Sequence, residues 1–307
     1  MASVPKRPPH LCGELLFRDT RVGIIGGTGL ESALGALAEG RSHELSTPFG
    51  RPSGPIVTGE VEGVPVALLA RHGPGHLLNP SQVPYRANIF AMKMLGVTHL
   101  LATGAVGSLR EKIRPGELLI PDQVIDRTFR RATTFFDDLA VHVELASPFC
   151  PTLRAALIEV GKKSRVPVHR DGTYLAMEGP QFSTRAESEL HRAWGADLVG
   201  MTAMPEAKLA REAELCYAMV ALVTDYDCWR PPRAAIEQQE LLREIIGNLE
   251  RASANAIALI RKTLRKLAAT ARQPCRCQSA LTLGIWSDRE RISQETRDRL
   301  GPLLARH

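Results

Sequence analysis

The sequence predicts an α/β fold: a single domain built on a mixed, largely parallel β-sheet flanked by helices. Short apolar runs alternate with stretches of helical periodicity along most of the 307 residues, the pattern of strands joined by crossover helices. One run, Cys216 to Val223, is apolar at every position and reads as a strand covered on both faces. No internal repeat or domain-scale linker interrupts the chain, whose length suffices for one large core.

Residues 1–19 carry Pro5, Pro8 and Pro9 among basic residues without periodicity, so a disordered leader is expected there. The domain is expected to fill residues 20–307, with order beginning at Arg21. Apolar runs predict strands near Val22–Ile25, Val66–Ala70, His99–Thr103, Leu118–Ile120, Thr173–Met177, Asp197–Val199 and Cys216–Thr224. Helices are predicted near Gln82–Leu95, Pro151–Ser164, Ser183–Trp194 and Glu206–Ala213. A long amphipathic helix is predicted over about 238–266, with Leu241, Leu242, Ile245, Ile246, Leu249, Ala252 and Ala256 on one stripe.

The composition, 44% hydrophobic and 23% charged, is that of a soluble globular protein. Net charge is +6, with the basic residues scattered apart from Arg261, Lys262, Arg265, Lys266 and Arg272. No aromatic residues interleave with that cluster, so a solvated helix face is expected rather than a nucleic-acid surface. The positive excess favours small anionic substrates through steering. No stretch has the length of a membrane span and the N-terminus lacks a signal core, so a cytoplasmic location is expected. Cys12, Cys150, Cys216 and Cys228 stand singly, as reduced thiols do, and Cys275 and Cys277 form a Cys-x-Cys pair. Without a second pair of the Cys-x2-Cys kind, no metal site is expected; the pair reads as two free thiols, with a disulfide left open.

Chemistry concentrates at predicted strand ends. Thr224-Asp225-Tyr226-Asp227-Cys228-Trp229 closes the long apolar run with two acids two residues apart, which an extended segment aims the same way. Like charges so close resist joint ionisation, so one acid can donate a proton while the other accepts. Donor beside acceptor suits the edge of adenine, which offers N7 and an exocyclic amine. Gly23-Ile24-Ile25-Gly26-Gly27-Thr28-Gly29-Leu30 is a strand entering a glycine-rich turn, either an anion cradle or a plain tight turn. A dinucleotide fingerprint fails because Ser32 stands where its third glycine belongs. Arg71-His72 follow another strand, as functional groups or as a surface pair. Thr103-Gly104-Ala105-Val106-Gly107-Ser108 ends a third strand in small residues that admit a ligand or simply pack closely. Glu178 before Gly179-Pro180 reads as a cap or hinge acid, Phe182 as a stacking or core group, and Met201 as core. Thr202 offers a further hydroxyl.

Taken in order, GIIGGTGL, TPFGRPS (47–53), ARHG, YRANIFA (85–91), GSLRE (107–111), EGPQFSTRAE (178–187), WGAD (194–197) and TDYDCW resemble the trimeric purine nucleoside phosphorylase superfamily, within it the branch acting on 5′-methylthioadenosine. The likeness runs from about Arg21 to Lys266; the segment 273–307 diverges. It implies phosphate-dependent cleavage of the N-glycosidic bond of 5′-methylthioadenosine to adenine and 5-methylthioribose 1-phosphate, with phosphate as co-substrate and no cofactor or metal. It implies phosphate contacts from Thr28, Arg71, His72, the Ala105 N–H and Thr202. Gly107 and Met201 would border the sugar, Phe182 and Ser183 the base, Asp225 would protonate N7 and Asp227 hold the amino edge. Gln238, Leu241 and Leu242 would line the 5′ pocket, and His142 would enter a neighbour's pocket in a homotrimer. The sequence departs from the family pattern at Gly104, where a phosphate-binding Thr is usual, at Gly200, where an Asn-like residue is usual, and at Gln238, where an apolar residue is usual. The alternatives are a 6-oxopurine nucleoside or methylthioinosine phosphorylase, a nucleoside-binding protein without catalysis, and, least of all, an NAD-binding protein.

Overall fold

The computed structural model describes residues 21–27, 40–164, 166–230, 238–270 and 275–307. The expected leader and Thr28 lie outside them. Among the described residues, eleven strands form one sheet. At its centre β1 (Arg21–Gly26) lies between β4 (Val64–Ala70) and β5 (Val97–Ser108), and β11 (Cys216–Asp225) follows beyond β5, all parallel. Beyond β4, β3 (Ile56–Val61) and β2 (Arg41–His43) run antiparallel as a flank. Beyond the far end of β5, β10 (Leu198–Gly200) joins antiparallel and carries β9 (Thr173–Met177) and β7 (Gln123–Arg127) in parallel. Two short strands, β6 (Leu118–Leu119) and β8 (Val168–His169), close the β11 side. The sheet is therefore mixed and mainly parallel, as the sequence predicts.

The strands reflect a two-residue alternation buried on both faces. Tyr217, Met219, Ala221 and Val223 of β11 enter one core, while Cys216, Ala218, Val220 and Leu222 enter the other. The first core is completed by α1 (Tyr85–Met94), α4 (Ala203–Glu212) and α6 (Gln294–Leu304), the second by α2 (Pro151–Ser164) and α5 (Gln238–Thr270). Each Leu or Val so buried contributes about 1.5–3 kcal/mol. The remaining helix, α3 (Arg185–Ala193), starts on a capping box in which Thr184 Oγ1 accepts from the Glu187 N–H and Glu187 accepts from the Thr184 N–H.

Three expectations are corrected. The strand expected to stop at Thr103 continues to Ser108, because its small residues remain paired with Val220–Asp225. The flank β2–β3 escapes a search for apolar runs, since it is mostly half-buried or exposed; β3 and β4 are joined by Glu62-Gly63, whose φ values of 56° and 73° form the primed turn of a two-residue hairpin. The apolar stripe of α5 is buried only from Asn248 onward. Its first turns extend past the sheet, leaving Leu241, Leu242 and Ile246 exposed.

No helix among the described residues is long and apolar enough to cross a membrane.

Candidate active site

The parallel strands β1, β4 and β11 stop along one sheet edge, at Gly26, Ala70 and Asp225. The intervening β5 runs further. It loses β1 after Ala102 and meets β10 at Gly107. Between those points Thr103–Val106 has β11 on one side and, among the described residues, no strand on the other. Arg71, Thr202, Asp225 and Asp227 lie against this stretch of β5, at the strand ends where open α/β sheets place ligand sites.

Arg71 forms its floor. The side chain is fully buried, and the guanidinium grips Glu206 of α4 with two bonds, Nε to Oε1 at 2.5 Å and Nη2 to Oε2 at 3.0 Å. Nη1 donates to the Thr103 carbonyl at 2.7 Å. Burial opposes the charge, but Glu206 outweighs it and holds the Arg71 pKa above its ordinary value. Tyr217 donates to Glu206 Oε2 at 3.0 Å, completing the pair's shell. Of the five guanidinium N–H groups three are engaged here, which leaves two for an anion. Nη1 lies 2.8 Å from the place a Cβ on Gly27 would take, so the Gly27 backbone sits directly on the cation.

His72 is buried beside it. Its Nδ1 bonds the Leu78 carbonyl at 2.8 Å, so Nδ1 carries the proton. Burial pushes the pKa down to about 4, leaving the ring neutral near pH 7 with its lone pair on Nε2. Thr202 closes the gap from the β10 side. Its Oγ1 is 3.2 Å from the place of a Cβ on Gly104, and Met219 Cε is closer still, at 2.8 Å. A threonine at 104 would need both to move. Gly200 has a similar reason: the Tyr174 ring and hydroxyl fill the space of any side chain there, and that hydroxyl accepts from the Thr202 N–H at 3.3 Å. Ala105 is exposed in the gap.

The acidic pair stands at the end of β11. The Asp225 carboxylate accepts from Thr224 Oγ1 at 2.6 Å and from the Asp227 N–H at 2.7 Å. Burial raises its pKa; the hydrogen bonds act in the other direction, and the charge of Asp227 is a smaller upward influence. This corrects the sequence argument on two points. Desolvation, rather than like-charge repulsion, is the main cause, and the acids are not aligned by an extended backbone. Asp227 has φ 50° and opens a short 3₁₀ turn, Asp227–Trp229, so the two meet through a turn. The Ser188 hydroxyl donates to Asp227 Oδ2 from α3. Gly107 lies against both acids, with Asp225 Oδ1 and Asp227 Cβ each 3.2 Å from its Cβ position.

The other predicted residues surround this centre unevenly. Cys228 donates to the Ser183 carbonyl at 3.2 Å, tying Ser183 to the acidic turn, and neighbouring Phe182 is 85% exposed. Met201 is half-buried against Gly179, and its carbonyl accepts from Arg131. Asn248 of α5 donates to the Thr224 carbonyl at 2.9 Å, which places Leu241 and Leu242 roughly 10 Å along the helix at its open end. Gln238 is the first residue of that helix. His142 is exposed on a separate loop, paired through its N–H with the Gly284 carbonyl at 2.8 Å and edge-on to Trp286. A separate cleft, lined by Lys112, Asp122, His169, Arg170 and Asp171 among others, contains none of the residues predicted from sequence.

Sequence reasoning missed Glu206, Tyr174, Ser188 and Asn248. Glu206 carried a signal: an acid on the helix face shared with the apolar Ala203, Ala207, Leu209 and Ala210. Glu178 is neither cap nor hinge. Burial pushes its pKa up, but bonds from Ser81, the Phe129 N–H and Arg131 prevail and hold it below the ordinary range.

A sequence profile of the phosphorylase superfamily matches residues 21–265. The chain belongs to that superfamily. It is 46% identical over 285 residues to S-methyl-5′-thioadenosine phosphorylase of Geobacter sulfurreducens, covering 92% of this chain and 97% of the relative. It is 45% identical over 296 residues to the protein of that name from Gloeobacter violaceus, covering 95% and 97%. Among solved structures, a methylthioadenosine phosphorylase from an Antarctic soil metagenomic library superposes with a TM-score of 0.85 at 46% identity, over 93% of this chain and 99% of that one. An adenosine/methylthioadenosine phosphorylase mutant from Schistosoma mansoni, in complex with methylthioadenosine, gives 0.75 at 36% identity, over 82% and 92%. The superfamily expected from the motifs is therefore the one to which the chain belongs, and the α/β sheet is its fold.

Proposed function

We propose that the protein is a pentosyltransferase that cleaves 5′-methylthioadenosine with inorganic phosphate, giving adenine and 5-methylthioribose 1-phosphate. The observation that carries this reading is the pair at the end of β11: Asp225, whose pKa burial raises, next to Asp227, whose Oδ2 is held by Ser188. A protonated Asp225 offers a donor to N7 and an ionised Asp227 accepts from the exocyclic amine. A 6-oxopurine presents an acceptor where adenine presents that amine and would leave Asp227 unpaired, a mismatch that buried polar sites reject strongly. The relatives' names point to the same substrate.

In this reading phosphate sits over Arg71 in the β5 gap, taking the two free guanidinium N–H groups, the Ala105 N–H and the hydroxyls of Thr202 and Thr28. Neutral His72 accepts a proton or hydrogen bond from the phosphate at Nε2. The anion lies on one side of C1′ and the base leaves on the other. Electrons of the C1′–N9 bond pass to the purine as Asp225 delivers its proton to N7, and a phosphate oxygen forms the new bond to C1′. The oxocarbenium-like transition state is stabilised by the phosphate charge and by the neutralised leaving group. Met201 and Gly107 border the ribose, Phe182 and Ser183 the base, and Leu241 and Leu242, with Gln238 beside them, the 5′ substituent. A homotrimer, in which His142 enters the neighbour's pocket, and a cytoplasmic location belong to the same proposal.

The purified protein incubated with methylthioadenosine, adenosine or inosine, each with and without phosphate, is expected to release adenine only with phosphate, fastest from methylthioadenosine. Hypoxanthine released from inosine at a comparable rate would refute the assignment of the two acids, and release without phosphate would make the enzyme a hydrolase.

A further inference from the structure

The cysteines overturn the expectation that they stand singly. Cys150 precedes α2, Cys216 opens β11, and after α5 Cys275 precedes and Cys277 lies within the short 3₁₀ turn Arg276–Ser279. Their four sulfurs nevertheless meet, every one within 4.8 Å of the others. The sulfurs of Cys150 and Cys275 are 3.6 Å apart. Tetrahedral zinc with Zn–S bonds of about 2.3 Å sets its sulfurs roughly 3.8 Å apart, so the spacing nearly matches a tetrathiolate cage.

We propose that Cys150, Cys216, Cys275 and Cys277 form a structural zinc site. Three of the four are buried, in the core between α2, α5 and the sheet, and Cys275 is half-buried. This is the closed environment of a structural site, with all four positions supplied by the protein and none open for catalysis. Soft thiolates in tetrahedral array select zinc over hard cations. The surroundings suit a thiolate: the Leu153 N–H points at Cys150 Sγ at 3.5 Å, at the first turn of α2. His99, the register partner of Cys216 on β5, is buried on the adjacent strand.

The position defines the role. Cys216 and Asp225 begin and end the same strand, roughly 30 Å apart at the strand rise, so the cage is remote from the acidic pair. It joins the segment after α5 to the amino-terminal end of β11 and to the start of α2. That segment continues to Ile285, which bridges Val141 next to His142. Zinc would thereby fasten the C-terminal 275–307 to the sheet.

The test is elemental analysis of the full chain purified without chelator or immobilised metal. About one zinc per chain is expected, lost in a Cys275→Ser/Cys277→Ser double variant and kept in Cys228→Ser. Should the double variant fail to fold, cobalt(II) added to chelator-treated wild-type protein is expected to give intense sulfur-to-cobalt charge-transfer bands and the red d–d bands of a tetrahedral tetrathiolate. Thiol titration in denaturant with chelator separates the rival: all six cysteines react if the cage holds metal, and two if the four are joined in disulfides. Two reactive thiols, the absence of metal, or iron in place of zinc would each overturn the assignment.

Discussion

An Asp225→Asn substitution is expected to lower kcat/KM for methylthioadenosine by about 10²–10⁴-fold, the range a positioned general acid supplies. Asparagine keeps an oxygen to accept the Asp227 N–H that now reaches Asp225 Oδ1 at 2.7 Å, so the turn and the fold should survive, with an unchanged melting temperature as the control. What is lost is a transferable proton. The pH profile carries a second signature. Because burial raises the Asp225 pKa, the protonated form persists above the usual carboxylate range, and the wild-type rate falls as pH rises through that raised value. The variant should lack this limb. A variant with near-wild-type activity and an unaltered pH profile would remove Asp225 from the proton transfer.

The second large effect is on stability. Replacing Glu206 with Gln leaves the Arg71 guanidinium fully buried without its countercharge. Breaking one partner of such a pair costs about 3–5 kcal/mol, a large share of the whole stability of a domain. Urea unfolding should show a lower midpoint with the slope preserved. Inorganic phosphate then acts as a diagnostic ligand. If Arg71 is the phosphate cation, the unneutralised guanidinium should bind the anion more strongly, and added phosphate should raise the variant's midpoint by more than the wild type's. Equal effects of phosphate on both proteins would mean that the Arg71 charge does not face the anion.

These two positions show what a linear sequence discloses. The Cys216–Val223 run and the two acids behind it were legible because a strand buried on both faces announces itself by composition, and the carboxylates after it mark where burial ends. Gly27, Arg71 and Thr202 stand out in the sequence for the same reason, as polar or small groups at the ends of apolar runs. Glu206, 135 residues from Arg71, was not, because its meaning lies in a partner that only the sheet brings near. The approach of Asp225 and Asp227 does not come from the two-residue alternation the sequence suggests, because Asp227 adopts a left-handed conformation that alternation does not foresee. The cysteines gave no local signal either. Cys150 and Cys275 are separated by 125 residues, and spacing rules detect ligands in close sequence pairs, whereas here the crossover connections assemble the set. The edge strand β2 carries a short, largely exposed sequence with no apolar run to find.

The open end of α5 also has a calorimetric meaning. Leu241, Leu242 and Ile246 remain 46–58% exposed, so water ordered around them is a reservoir that a ligand can release. A nucleoside bearing an apolar 5′ group would draw on it and one bearing a hydroxyl would draw less, making the heat-capacity change of binding more negative for the first. If these side chains line the proposed 5′ pocket, the advantage of a methylthio group over a hydroxyl becomes a temperature-dependent quantity, with a different enthalpy and entropy at each temperature.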